Sequence, residues 1–188
     1  MPGSSRVLAL FCLVLCGAAT SAAEPLQALI VDGQNNHKVW PQTTQMMKRY
    51  LEDTGLFRVD VATTAPQGTD PSFAPDFSRY DVVVSNYNGA PWPKQTQSAL
   101  VDYVRGGGGF VVVHAANNAF GDWPEYNEMI GLGGWGGRNE ASGPYLFTTD
   151  DGKIIRDESP GKGGHHGAQH PFAVVVRDRE HPITRGMP

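Results

Sequence analysis

Cysteine is almost missing from this 188-residue sequence: there are two, Cys12 and Cys16, and both fall within the first 23 residues. A disulfide scaffold is thereby excluded, and removal of those residues would also exclude thiol nucleophiles and thiolate zinc sites. Runs of Lys or Arg are missing too. Fifteen basic against 19 acidic side chains give a net charge of -4 and a pI near 5.8, which leaves no electrostatic footprint for nucleic acid or an anionic membrane. No internal repeat occurs at solenoid or propeller periods. What remains, with 40% of residues hydrophobic, is one ordinary domain able to bury a core.

The first residues read as a secretory signal. Arg6 supplies the positive end, Val7 to Gly17 is apolar, and Ala18 to Ala23 is a run of small residues with Ala22 and Ala23 as cleavage points. The apolar stretch is shorter than the roughly 20 residues of a membrane span, which disfavours a retained anchor. A lipoprotein cut before Cys16 is disfavoured by Leu15, where a small residue is wanted. Cleavage after Ala23 leaves residues 24–188, a cysteine-free chain of 165 residues with net charge -5. The expected location is secreted or periplasmic, with no membrane contact after cleavage.

Strand and helix signals then alternate. Leu26 to Val31 is nearly continuous in apolar residues, as suits a strand buried on both faces of a parallel sheet. A helix is predicted from Pro41, with Met46, Met47, Tyr50 and Leu51 at helical spacing and Gly55 as its stop. Phe57, Val59 and Val61 alternate with Arg58 and Asp60, which predicts a half-exposed strand near an edge. Residues 63–78 read as a loop, Tyr80 to Ser85 as a third strand, Pro93 to Arg105 as a helix ended by Gly106 to Gly109, and Gly109 to Val113 as a fourth strand. Further on, the pattern predicts a short helix over Glu125 to Ile130, a hairpin of Tyr145 to Thr148 with Lys153 to Arg156, and a strand over Phe172 to Arg177. This is an α/β, flavodoxin-like pattern with a mainly parallel sheet flanked by helices. The chain stops at Met187-Pro188 without a closing helix, so an incomplete domain is expected.

In such a sheet ligands bind outside the carboxyl ends of the strands, where the strand order reverses. Three loops leave such ends: Asp32-Gly33-Gln34-Asn35-Asn36-His37, Asn86-Tyr87-Asn88-Gly89 and His114-Ala115-Ala116-Asn117-Asn118. Their side chains are neutral donors and acceptors with a single base, Lys38, which argues against phosphate and for a polyhydroxylated ligand. Trp40, Trp92 and Trp123 each follow one of these loops, and an indole face suits the apolar side of a sugar ring. The competing reading is that the Asn residues cap helices and shape turns while the Trp residues fill core.

His114 directly follows the apolar strand run, at the strand-to-helix turn where some α/β enzymes place a nucleophile. An imidazole there can act as general acid or base, or ligate a metal; a structural histidine at the sheet edge is the plainer alternative. His165, His166 and His170 form a second cluster in a Gly- and Pro-rich stretch, and a divalent ion shared by His114 with His166 or His170 is conceivable. Two formal motifs fail on context: Gly131 to Gly136 fits G-x-G-x-x-G but follows a helix, and Gly161 to Gly167 lacks the Lys-Ser or Lys-Thr of a P-loop.

Taken together, Asp32 to His37, Tyr80 to Gly89, Gly107 to Phe120, Trp123 to Arg138 and His165 to Pro188 resemble the trehalose-utilisation, or ThuA-like, family. The resemblance implies a class I glutamine amidotransferase-like fold and a role in sugar catabolism on a carbohydrate or 3-keto derivative. It also implies a C-terminal continuation with a Trp, a His and an acidic pair. His114 stands in the region where related amidotransferases carry cysteine, so amidotransferase activity is not expected. The expected function is an exported hydrolase, lyase or isomerase of a disaccharide, glycoside or 3-keto sugar. His114 and His37 are its candidate catalytic residues. Asn36, Asn86, Asn88, Asn117, Trp40, Trp92, Trp123, His166 and His170 are candidate substrate contacts, and no cofactor is firmly indicated. The rival is a non-catalytic carbohydrate-binding or accessory module using the same cleft.

Overall fold

A computed structural model describes residues 23–131, 133, 144–161 and 167–187. Residues 1–22, which hold nearly all of the expected export signal, most of both Gly-rich stretches, His165 and His166 lie outside the described residues. Four parallel strands form a sheet in the order β2-β1-β3-β4: β1 is Leu26–Asp32, β2 Phe57–Thr63, β3 Val82–Ser85 and β4 Gly109–Val112. Among the described residues three α-helices accompany them, α1 (Trp40–Asp53), α2 (Lys94–Arg105) and α3 (Pro124–Ile130). A separate antiparallel pair, β5 (Tyr145–Thr148) and β6 (Ile154–Asp157), forms the expected hairpin.

Side-chain alternation divides β1 between two cores. Ala28 and Ile30 join Val59 and Val84 on the face covered by Met47 and Leu51 of α1. Leu29 and Val31 face the other way with Val83, Leu100 of α2 and Tyr126 of α3. Both faces of β1 are buried, as its continuous apolar run predicts, whereas β2, with its alternating charges, forms one edge. Aromatic rings fill the α2/α3 side: Phe73, Phe77, Tyr87, Trp92, Phe120, Trp123 and Tyr126 lie in one buried cluster. Their centroids are 5.0–6.4 Å apart where they meet, within the range of favourable tilted and edge contacts.

The strand expected over Phe172 to Arg177 is not formed. The backbone there is irregular, and Phe172, Val174 and Val175 are 79%, 82% and 71% exposed. Strand propensity is realised only against a partner edge and a covered face, and among the described residues this segment has neither. Among the described residues no helix is long and apolar enough to cross a membrane.

Candidate functional site

The order β2-β1-β3-β4 reverses direction at β1 and β3, so the loops leaving β1, β3 and β4 share the carboxyl edge of the sheet. Gly33 opens the first loop at φ +122°, and a Cβ there would lie 2.3 Å from Thr64 Oγ1. Only glycine lets the chain turn and pass Thr64 at that distance. Gln34 then ties three segments. Its Nε2 donates to the carbonyls of Ala65 and Gly68, both at 2.8 Å, and its Oε1 accepts from the N–H of Ala90 at 2.9 Å. Asn35 does the same on a smaller scale, donating to the Asn86 carbonyl at 3.0 Å and accepting from the backbone N–H of His37 at 2.9 Å.

The result is a His37 ring carried on a turn that is stapled to the β3 loop. The His37 carbonyl in turn accepts from the N–H of Trp40, the first residue of α1, at 3.0 Å. The third loop presents its own histidine differently. Val113 ends the strand, its N–H bonded to the Ser85 carbonyl at 2.9 Å, and His114 begins a 3-10 turn over His114–Asn118. His114 has φ +50°, the left-handed region that a non-glycine residue occupies at a cost of about 1–2 kcal/mol. This strand, strained residue and helical turn are the arrangement by which an α/β enzyme raises one side chain above the sheet edge. Buried Tyr126 supports it from beneath, its hydroxyl donating to the Ala116 carbonyl at 2.7 Å. Burial pushes the Tyr126 phenol well above its ordinary value, so it stays a donor.

The two histidines meet. His37 Nε2 and His114 Nε2 are 3.1 Å apart, with ring centroids separated by 4.7 Å and planes inclined at 40°. Both side chains are exposed to solvent. Beside them Asn88 Nδ2 donates to Asn36 Oδ1 at 3.0 Å, so these two carboxamides also lie together across the loops.

Other candidates are placed elsewhere. Asn86 is buried, with its amide given to the Trp40 carbonyl at 3.2 Å and Thr44 Oγ1 at 3.0 Å, which anchors α1 to the sheet. Trp40 is half-buried at the head of α1, and Asn117 is half-buried in the 3-10 turn. Trp92 and Trp123, 3% and 6% exposed, sit within the aromatic cluster, and Trp123 also borders the cavities on that side. His170 is exposed, its Nδ1 2.9 Å from the Pro171 carbonyl, while His166 lies outside the described residues. Among the described residues no three His, Cys, Asp or Glu side chains converge as a metal-binding group. Gln34 and Asn35, which fix the geometry, were not singled out from the sequence; their position just after a strand-ending Asp-Gly was the available signal.

A cavity of about 250 Å³ opens on the same side of the molecule, between Gly89 and Pro91 of the β3 loop, Lys94 and Gln97 of α2, and Phe120 to Trp123. A second, of about 390 Å³, continues past Lys94 and Gln97 toward Arg105 and Glu125. Neither is lined by the histidine pair, which stands open at the loop tips.

Comparison with known proteins agrees with this architecture. No curated protein matches the chain. The crystal structure of a ThuA-like protein from Parabacteroides merdae matches with a TM-score of 0.81 and 47% identity, over 87% of this chain and 58% of that one. The chain thus spans less than two thirds of that relative's length. A ThuA-like protein from Bacteroides uniformis matches at 25% identity and a TM-score of 0.46, over 61% of this chain and 48% of that one. The family model described as ThuA, trehalose utilisation, matches residues 27–188, and the chain belongs to that family.

Proposed function

We propose that this protein is an exported sugar-processing enzyme in which His114 is the general acid/base and His37 its proton-sharing partner. Family membership indicates a role in sugar metabolism; the substrate, the reaction and the export are the proposal. The observation that carries it is the 3.1 Å contact between two imidazole nitrogens delivered by different loops at the carboxyl edge of the sheet. At that distance one nitrogen donates and the other accepts, so a proton taken up by one ring can be relayed to the other. Asn36 and Asn88, hydrogen-bonded beside the pair, offer amide donors and carbonyl acceptors to neighbouring hydroxyls. A 3-keto sugar suits this chemistry, because its carbonyl acidifies the adjacent C–H and lets one imidazole begin an elimination or isomerisation.

The export rests on Arg6, the apolar run from Val7 and the small residues up to Ala23. The test is incubation of the protein with trehalose, 3-keto-trehalose and related glycosides, following product by chromatography. His114→Ala should lower turnover by about 100-fold or more, the usual contribution of a positioned acid/base. Equal turnover by wild type and His114→Ala removes His114 from catalysis. Sugar binding without any consumption would favour the accessory-module reading instead.

A further inference from the structure

We propose that His37 Nε2 and His114 Nε2 are two ligands of a single divalent transition-metal ion of zinc-like size, bound at the tips of the loops after β1 and β4. The inference goes beyond the reading above: an ion that takes both Nε2 lone pairs displaces the proton the rings would otherwise share, so metal binding and the acid/base role of His114 are alternatives that the experiment separates. A zinc–nitrogen bond of about 2.0–2.1 Å places two imidazole nitrogens about 3.3–3.4 Å apart on a tetrahedral ion and about 2.9 Å apart on adjacent octahedral positions. The observed 3.1 Å lies between these limits.

The separation of the two rings fits a shared ion. Two imidazoles whose Nε2 atoms point straight at each other at this spacing would have centroids about 5.4 Å apart, the sum of the contact and two ring radii. Rings that converge on a common point about 2.05 Å from each nitrogen bring the centroids to about 4.8 Å. The centroids are 4.7 Å apart. The centroid distance is thus that of rings converging on a shared ion, and shorter than that of rings aligned along the N···N line.

Imidazole nitrogen is the ligand that zinc, copper, nickel and iron share, and two neutral rings impose no carboxylate that would favour magnesium or calcium. Both rings are exposed, so the ion enters from solvent, and its remaining positions are open to water or to hydroxyl and keto oxygens of a ligand. A bound ion supplies Lewis-acid polarisation of a carbonyl oxygen. Asn35 has a defined part in this scheme: its grip on the His37 backbone N–H holds the ring's loop at the spacing the ion requires.

The experiment uses the whole protein without a polyhistidine tag, stripped with chelator and titrated with Zn²⁺ by calorimetry and with Co²⁺ by visible absorption. One equivalent should bind, with Co²⁺ giving ligand-field bands. His37→Ala and His114→Ala should each weaken binding by about tenfold or more, as expected when one of few ligands is lost. His181→Ala, at an exposed histidine outside the candidate site, should leave it unchanged. Circular dichroism of each variant checks that it is folded, and His37→Gln supplies a second variant if His37→Ala is not. Absence of binding, or equal affinity in the wild type and the His37→Ala/His114→Ala double variant, overturns the proposal. The sugar assay fails independently: stoichiometric metal without sugar turnover leaves the metal site and removes the enzyme reading, whereas chelator-insensitive turnover without metal binding does the reverse.

Discussion

The tripeptide Val-Val-Val occurs at residues 82–84, 111–113 and 174–176, and the first and last of these copies have opposite fates. In β3, between β1 and β4, Val83 is fully buried and Val84 nearly so. At 174–176 Val174 and Val175 stand in water and Val176 is half-buried, on irregular backbone. The difference is not in the residues. β3 receives hydrogen bonds from a strand on each side and side-chain cover from α1 on one face and the aromatic cluster on the other. An apolar run states that burial would be favourable and says nothing of what supplies it.

The largest effect follows from putting one substitution at the first copy. Val83→Asp places a carboxylate among Leu29, Val31 and Leu100 with no partner, and should cost about 4–5 kcal/mol or more, enough to unfold a domain of ordinary stability. Chemical denaturation is the measurement, with loss of the folded baseline at 25 °C as the expected result. A variant that unfolds within 1 kcal/mol of wild type would mean that β3 is not packed as described.

How far the sequence discloses this molecule follows the same line. Continuous apolar runs located β1 and β3, alternation placed β2 at an edge, and Pro41 and Gly55 bracketed α1 to within two residues, because each of these signals is local to its own segment. The site was legible as three loops and as His114 on its turn. The pairing of His37 with His114 was legible only through the expected flavodoxin-like strand order, since it depends on a sheet order linking residues 77 positions apart. It was not legible that Asn86 would turn inward to α1 while Asn88 turned outward to Asn36. Carboxamides of one kind in one loop are assigned their tasks by whichever backbone groups the tertiary fold leaves unpaired.

A smaller effect separates the two regions by pH. Tyr80, Tyr87, Tyr103 and Tyr126 all have phenols pushed above the ordinary value of 10.0, each chiefly by burial, and all four belong to the region around the parallel sheet. When the folded value exceeds the unfolded one, the unfolded chain releases its proton first, so stability is complete below pH 10 and falls as pH rises above it. Thermal melts should therefore lose stability above pH 10. Tyr126→Phe, which loses the bond to Ala116 and should be weaker by about 1–3 kcal/mol at pH 7, should show a shallower alkaline decline. Parallel declines in the two proteins would show that Tyr126 does not contribute to it.

The smallest effect is the second half of the valine comparison, and the most informative because the expected value is near zero. Val174→Asp changes an 82% exposed side chain, so no apolar contact is lost and the new carboxylate remains hydrated. Denaturation midpoints should agree with wild type to within about 0.5 kcal/mol, the ordinary range for surface sites. The near-neutral result would confirm that the identical tripeptide carries stability at 82–84 and none at 174–176. A loss of about 2 kcal/mol or more would instead require Val174 to be covered in solution, since a hydrated aspartate in place of an exposed valine has no other means of costing that much. Strand propensity at Phe172 to Arg177 would then be satisfied by a partner edge after all, and the contrast between the two copies would be one of when each is paired and not whether.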